Sequence, residues 1–133
     1  MNSMTLKGEV FSGEGVGADF LGISWARKQI EEKLGFDAYP GTLNIRIPDK
    51  ETRLLGKVLK NLEGIEIAPA RGFFRAYCFK TLLMNKVEGA IVIPQKPDYP
   101  SNVLEIIAPI SLRKELSLED SDEVEIMIIF GKH

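Results

Sequence analysis

The sequence predicts a mainly β domain, a small barrel accompanied by a few short helices. Three observations point there. Apolar and polar residues alternate strictly from Thr42 to Ile47, and Val124, Ile126 and Ile128 alternate with Glu123, Glu125 and Met127, the period-two signature of strands. Further short strand-like segments, at 6–11, 65–67, 73–83, 89–93 and 103–107, are separated by stretches that contain Gly, Pro, Asn or Asp. Helical periodicity is confined to two or three brief stretches, so strands must supply most of the core.

The chain of 133 residues suits one domain, residues 1–133, and is long enough to bury a core. Its 44% apolar and 27% charged content is that of a soluble globular protein. A net charge of -2 argues against a DNA- or RNA-binding module. It leaves phosphate binding open, because backbone amides can supply the positive potential. Met1–Thr5 shows no basic segment followed by an apolar one, and no apolar run spans a bilayer, so neither signal peptide nor membrane anchoring is expected. The single cysteine, Cys78, cannot close an internal disulfide, which fits a cytoplasmic location, and its apolar strand context predicts a buried, inert thiol. The single histidine, His133, rules out a His-based triad or a multi-histidine metal site within this sequence.

Taken in order, a first strand over Leu6–Phe11 leads into Ser12-Gly13-Glu14-Gly15-Val16-Gly17-Ala18-Asp19. Glycines at alternate positions can bring backbone amides close to an anion, or can simply form a hairpin or bulge. The loop is neither a Walker A nor a dinucleotide fingerprint, since no Gly-Lys-Ser/Thr and no strand–loop–helix unit follows. Ser24 can cap a helix over about Trp25–Leu34, with Ala26, Ile30 and Leu34 as its apolar stripe and Gly35-Phe36 as its stop. Pro40-Gly41 turns the chain into the strand that starts at Thr42. There Leu43, Ile45 and Ile47 face one way, and Thr42, Asn44 and Arg46 the other. The hydroxyl and amide of Thr42 and Asn44 form either two neutral oxygen ligands for a hard cation or the wet face of an ordinary strand.

Pro48-Asp49-Lys50-Glu51 ends that strand, and Thr52–Leu62 reads as a short amphipathic helix or a loop. Ile65–Ile67 is a brief strand, and Phe73–Leu83 a longer one whose Phe74, Tyr77 and Phe79 suit the core or a planar ligand. A turn over Asn85–Glu88 precedes an apolar strand, Gly89–Ile93, closed by Pro94. Gln95–Asn102, with Pro97, Asp98, Tyr99 and Pro100, is irregular and could wall a site. In the strand Val103–Ile107, Glu105 shares a face with Val103 and Ile107; it is either a solvent-facing side chain or a half-buried carboxylate that needs a partner, as a general base does. Ala108-Pro109 breaks the strand, Ser111 can cap a helix over Leu112–Leu116 carrying Arg113, Asp120-Ser121-Asp122 turns, and Glu123–Phe130 closes the domain.

Several segments in this order carry a specific resemblance covering nearly the whole chain. They are Gly8-Glu9-Val10-Phe11-Ser12-Gly13 with the glycine loop, Leu34-Gly35-Phe36, Tyr39-Pro40-Gly41-Thr42-Leu43-Asn44, Ala90-Ile91-Val92-Ile93-Pro94, Leu104-Glu105-Ile106-Ile107-Ala108-Pro109, Leu112-Arg113 and Asp120-Ser121-Asp122. Together they resemble the archaeal CTP-dependent riboflavin kinases. The resemblance implies a six-stranded cradle-loop β-barrel that transfers the terminal phosphate of CTP to the 5′-hydroxyl of riboflavin, giving FMN and CDP. It implies that Gly13, Glu14, Gly15, Val16, Gly17 and Ala18, with Ile110, Ser111, Leu112 and Arg113, hold the nucleotide. It implies that Thr42 and Asn44 hold Mg²⁺, that Glu105 is the catalytic group on the flavin side, and that Pro97 also meets the flavin. No nucleic-acid, membrane or protein partner is expected.

This sequence differs from the family pattern at Val16, where a Glu is usual, and at Pro97, where a Thr is common. Val16 and Ala18 remove side-chain polarity but leave backbone amides; Pro97 removes a hydroxyl and an N–H. These differences motivate an alternative reading, a diverged flavin- or nucleotide-binding barrel without kinase activity. A DNA-binding regulatory barrel is a third, opposed by the acidic balance.

Overall fold

The computed structural model describes residues 3–12, 24–68 and 74–130. Its strands are β1 (Ser3–Phe11), β2 (Leu43–Arg46), β3 (Ile65–Ile67), β4 (Ala76–Leu83), β5 (Val87–Pro94), β6 (Val103–Ile107) and β7 (Glu123–Ile129). Its helices are α1 (Ser24–Leu34), α2 (Asp49–Leu59) and α3 (Leu112–Glu115). The strands run in the order β3-β4-β5-β6-β2-β1-β7, all antiparallel, and a β4–β7 pairing closes six of them into a barrel. One edge of β4 serves two neighbours: Ala76–Cys78 pair with β3, whereas Thr81–Leu83 pair with β7 and close the barrel. The expected mainly β barrel is therefore the observed architecture.

Alternation sorts each strand between two cores. Leu6 and Val10 of β1, Leu43 and Ile45 of β2, Leu104 and Ile106 of β6, and Val124, Ile126 and Ile128 of β7 fill the barrel. Leu55 of α2 and Leu112 of α3 join this interior core. Outside the barrel, Ala76 and Cys78 of β4, Ala90 and Val92 of β5 and Ile107 of β6 meet Ile30 of α1, with Ala38 and Ile67. The predicted helical stripe is seen in α1: Ala26 and Ile30 are fully buried, and Leu34 packs on the outer cluster. Gly35 stops the helix at φ +84°, the left-handed conformation favoured by glycine. Burial pushes the Cys78 thiol up to about 12, so it is an inert core group as expected.

Several boundaries differ from the sequence reading. Helix α2 begins at Asp49 rather than Thr52, because Pro48 both ends the strand and precedes the first helical turn. Asp49 and Glu51 then lie at the positive end of the helix dipole. The turn at 85–88 is tighter than expected. Met84 and Asn85 take left-handed angles, φ 51° and 55°, so β5 starts already at Val87. Strand β4 begins at Ala76, opposite Pro94, just after the Gln95 N–H donates to the Arg75 carbonyl at 2.7 Å. Phe74 thus lies before the strand and is 49% exposed, whereas Phe79 packs against the barrel core.

Candidate active site

The site lies on the outer face of the barrel, where β1, β2 and β6 run side by side. Register sets a cross-strand row: Phe11 stands opposite Asn44, and Asn44 opposite Glu105. Neighbouring strands hold such side chains close enough to interact. Ring and guanidinium brace one end of the row, since Arg46 lies 4.2 Å above the Phe11 ring centroid.

Glu105 is buried, only 7% exposed. The outer core around Ile107 and Val92 covers its face of β6, so the solvent-facing alternative does not hold. Two hydroxyls compensate its burial. Tyr99 Oη donates to Glu105 Oε2 at 2.6 Å, and Thr42 Oγ1 donates to Glu105 Oε1 at 3.3 Å. Thr42 Oγ1 also lies 3.1 Å from Asn44 Oδ1. The hydroxyl, the amide oxygen and the carboxylate thus form one oxygen-lined cluster.

The turn before Thr42 is rigidly placed. Gly41 takes φ +103°, which a side chain would oppose, and the Tyr39 N–H donates to the Ala108 carbonyl at 2.8 Å. This contact joins the turn to the end of β6 and forms a cleft of about 190 Å³. Thr42 lines one wall of it; Ile110, Ser111, Leu112 and Arg113 line the other. Thr42 and the segment Ile110–Arg113, to which the resemblance gives different roles, therefore share one cavity. Ser111 caps α3, its hydroxyl accepting from the Lys114 N–H. The Leu112 side chain is buried in the barrel core, while the residue also lines the cleft.

Arg113 is engaged within the protein. Its guanidinium donates to Asp120 Oδ1 at 2.7 Å and to the Phe11 carbonyl at 3.3 Å. Ser12 Oγ donates to both oxygens of Asp120, at 3.0 and 2.8 Å. The clasp ties the end of β1 to α3 and to the turn before β7. The Arg113 hydrogen bond, then that of Ser12, holds the Asp120 carboxyl below its ordinary value of 3.8. A depressed carboxyl stabilises the fold above its unfolded pKa, and that contribution disappears as pH falls through the folded one. Acid titration of the unfolding midpoint is therefore expected to show a loss below about pH 4 that Asp120→Asn lacks; an identical acid slope in both proteins would refute the clasp's contribution.

The predicted flavin-side residues do not meet directly. Pro97 is exposed and lines a cavity of about 420 Å³ with Thr52, Leu55, Tyr99 and Leu104. Tyr99, two positions along the same loop, is the residue that reaches Glu105. The sequence puts Tyr99 only in a loop that could wall a site; a phenol between Pro97 and Pro100 is the signal it offers. The predicted nucleotide residues Gly13, Glu14, Gly15, Val16, Gly17 and Ala18 lie outside the described residues.

The donor chemistry fits a hard divalent cation. Thr42 and Asn44 offer neutral oxygens, and among the described residues no group of three or more His, Cys, Asp or Glu gathers. Such a pair suits an ion that completes its shell with water and phosphate oxygens.

Fold and site together define a closed six-stranded barrel with an oxygen cluster on its outer face and, beginning at Thr42, a cleft beside it. Residues 10–128 match the CTP-dep_RFKase family, described as a domain of unknown function, DUF120. The chain belongs to this family, that of the archaeal CTP-dependent riboflavin kinases. It is 46% identical over 131 residues to a riboflavin kinase of Archaeoglobus fulgidus, covering 96% of this chain and 55% of that protein. It is 43% identical to a riboflavin kinase of Pyrobaculum aerophilum, covering 96% of this chain and 61% of the relative. A riboflavin kinase of Ignicoccus hospitalis is 39% identical over 94% of this chain and 71% of its own length. The chain thus spans little more than half the length of the first two relatives. No described helix is long and apolar enough to cross a membrane.

Proposed function

We propose that residues 1–133 form one catalytic domain that transfers the terminal phosphate of CTP to the 5′-hydroxyl of riboflavin, yielding FMN and CDP. The observation that carries this reading is the buried Glu105 carboxylate beside the Thr42–Asn44 oxygen pair, at the edge of the cleft shared with Ile110–Arg113. Phosphoryl transfer asks for positioning and charge neutralisation more than for a covalent intermediate.

In this reading Thr42 and Asn44 hold Mg²⁺, which when bound neutralises charge on the phosphate oxygens. Backbone amides of 13–18 and of Ile110–Arg113 cradle the nucleotide, and Arg113 is drawn upon for the residual phosphate charge. Glu105 orients the ribityl hydroxyl and accepts its proton. Pro97 faces the flavin through ring contact, because it has no donor to offer. The lone buried Cys78 suits the reducing cytoplasm, where we place the enzyme.

Incubating the protein with riboflavin, Mg²⁺ and each of CTP, ATP, GTP and UTP, then resolving the flavins by chromatography, tests the reading. FMN is expected with CTP. FMN with ATP in place of CTP would retain the kinase and replace the donor. Tight riboflavin binding with no FMN from any nucleotide would favour the diverged binding barrel.

A further inference from the structure

Glu105 is gripped unequally. The Tyr99 contact, at 2.6 Å, is a short hydrogen bond of the charge-assisted kind. The Thr42 contact, at 3.3 Å, is long, and its single proton is shared with Asn44 Oδ1 at 3.1 Å. Oε2 is therefore fixed, and Oε1, on the side of the oxygen pair, is the oxygen whose partner is readily exchanged.

Tyr99 is well built for a fixed grip. Its backbone N–H donates to the Lys96 carbonyl at 3.0 Å, closing a turn. Pro100 restricts Tyr99 to extended backbone, so little freedom is lost when the phenol docks. The loop returns to the barrel through Ile47 N–H to the Asn102 carbonyl, at 2.8 Å. Burial, then the hydrogen bond to Glu105, raises the phenol pKa and keeps it a donor.

We propose that Tyr99 is a positioning residue for phosphoryl transfer, holding Glu105 Oε2 so that Oε1 faces the Thr42–Asn44 pair and receives the proton of the substrate's primary alcohol. The proposal rests on the kinase reading above. In the step, the alcohol oxygen bonds to the terminal phosphorus of the nucleoside triphosphate as the bond from that phosphorus to the bridging oxygen breaks. The electron pair of the broken bond departs with the nucleoside diphosphate, and the alcohol proton passes to Oε1. Thr42 can yield its place at Oε1 because its proton has Asn44 Oδ1 as a second acceptor.

The test compares wild type with Tyr99→Phe, which removes one oxygen and keeps the ring. Thermal unfolding checks that the variant is folded. Riboflavin affinity is read without turnover, from quenching of flavin fluorescence, and kcat from FMN formation. Misplacement of a reacting group by about 1 Å can lower the rate on the order of a hundredfold, so a fall in kcat of about tenfold or more is expected, with Kd for riboflavin changed less than about threefold. An unchanged kcat overturns the proposal. A weakened Kd with kcat retained also overturns it, making Tyr99 a wall of the flavin site. If wild type itself forms no FMN with any of the nucleotides above, the kinase reading falls and this proposal falls with it.

Discussion

Glu105→Gln is expected to reduce FMN formation by about 10²–10⁴-fold, the range typical of losing a positioned general base. The change is nearly isosteric, so the outer core around Val92 and Ile107 should keep its packing. The amide oxygen can still accept from the Tyr99 hydroxyl, which leaves that donor satisfied. What is lost is the capacity to take a proton. Riboflavin binding, followed by fluorescence quenching, should stay within a few-fold of wild type. Glu105→Ala would strand the Tyr99 hydroxyl and open a void, with an expected stability loss of about 1–3 kcal/mol in denaturant unfolding. Full activity of the glutamine variant would remove Glu105 from the chemistry and leave it a structural anchor.

The second large effect is expected at the oxygen pair. Thr42→Val and Asn44→Leu each keep approximate side-chain volume and delete an oxygen ligand, and each should abolish turnover while the protein remains folded. A drop of more than about a hundredfold is expected, because charge on a transferring phosphoryl group would lose its counter-ion. Thr42→Ser retains the oxygen and should keep activity within about tenfold of wild type. Circular dichroism checks the fold, and a Mn²⁺ titration read by electron paramagnetic resonance reports metal affinity without turnover. Wild-type rates in both the valine and leucine variants would withdraw the metal assignment.

Much of the fold was legible because alternation is a local property. Leu43, Ile45 and Ile47 against Thr42, Asn44 and Arg46, or Val124, Ile126 and Ile128 against Glu123, Glu125 and Met127, follow from side-chain direction in any strand. The stripe of Ala26 and Ile30 follows equally from helical geometry. Glu105 was ambiguous for a physical reason. Strand β6 is covered on both faces, by the barrel core inside and the α1 layer outside, so its apolar run carries no phase that tells an exposed carboxylate from a buried one. Boundaries also resisted reading where one residue served two elements, as Pro48 does between β2 and α2.

Residue order was enough to establish that Thr42 and Asn44 point together from one strand, that the chain folds as a small barrel, and which family motifs it carries. It could not establish what those oxygens face. That depends on which strands become neighbours and in what register: Asn44 opposite Glu105, across β2 and β6, and Asn44 opposite Phe11, across β2 and β1. Thr42 and Glu105 are 63 positions apart, and Arg113 and the Phe11 carbonyl 102. Local periodicity contains no information about such pairings. Closure of the barrel fixes them, and the Tyr99 grip on Glu105 arises where the returning loop meets that closed sheet.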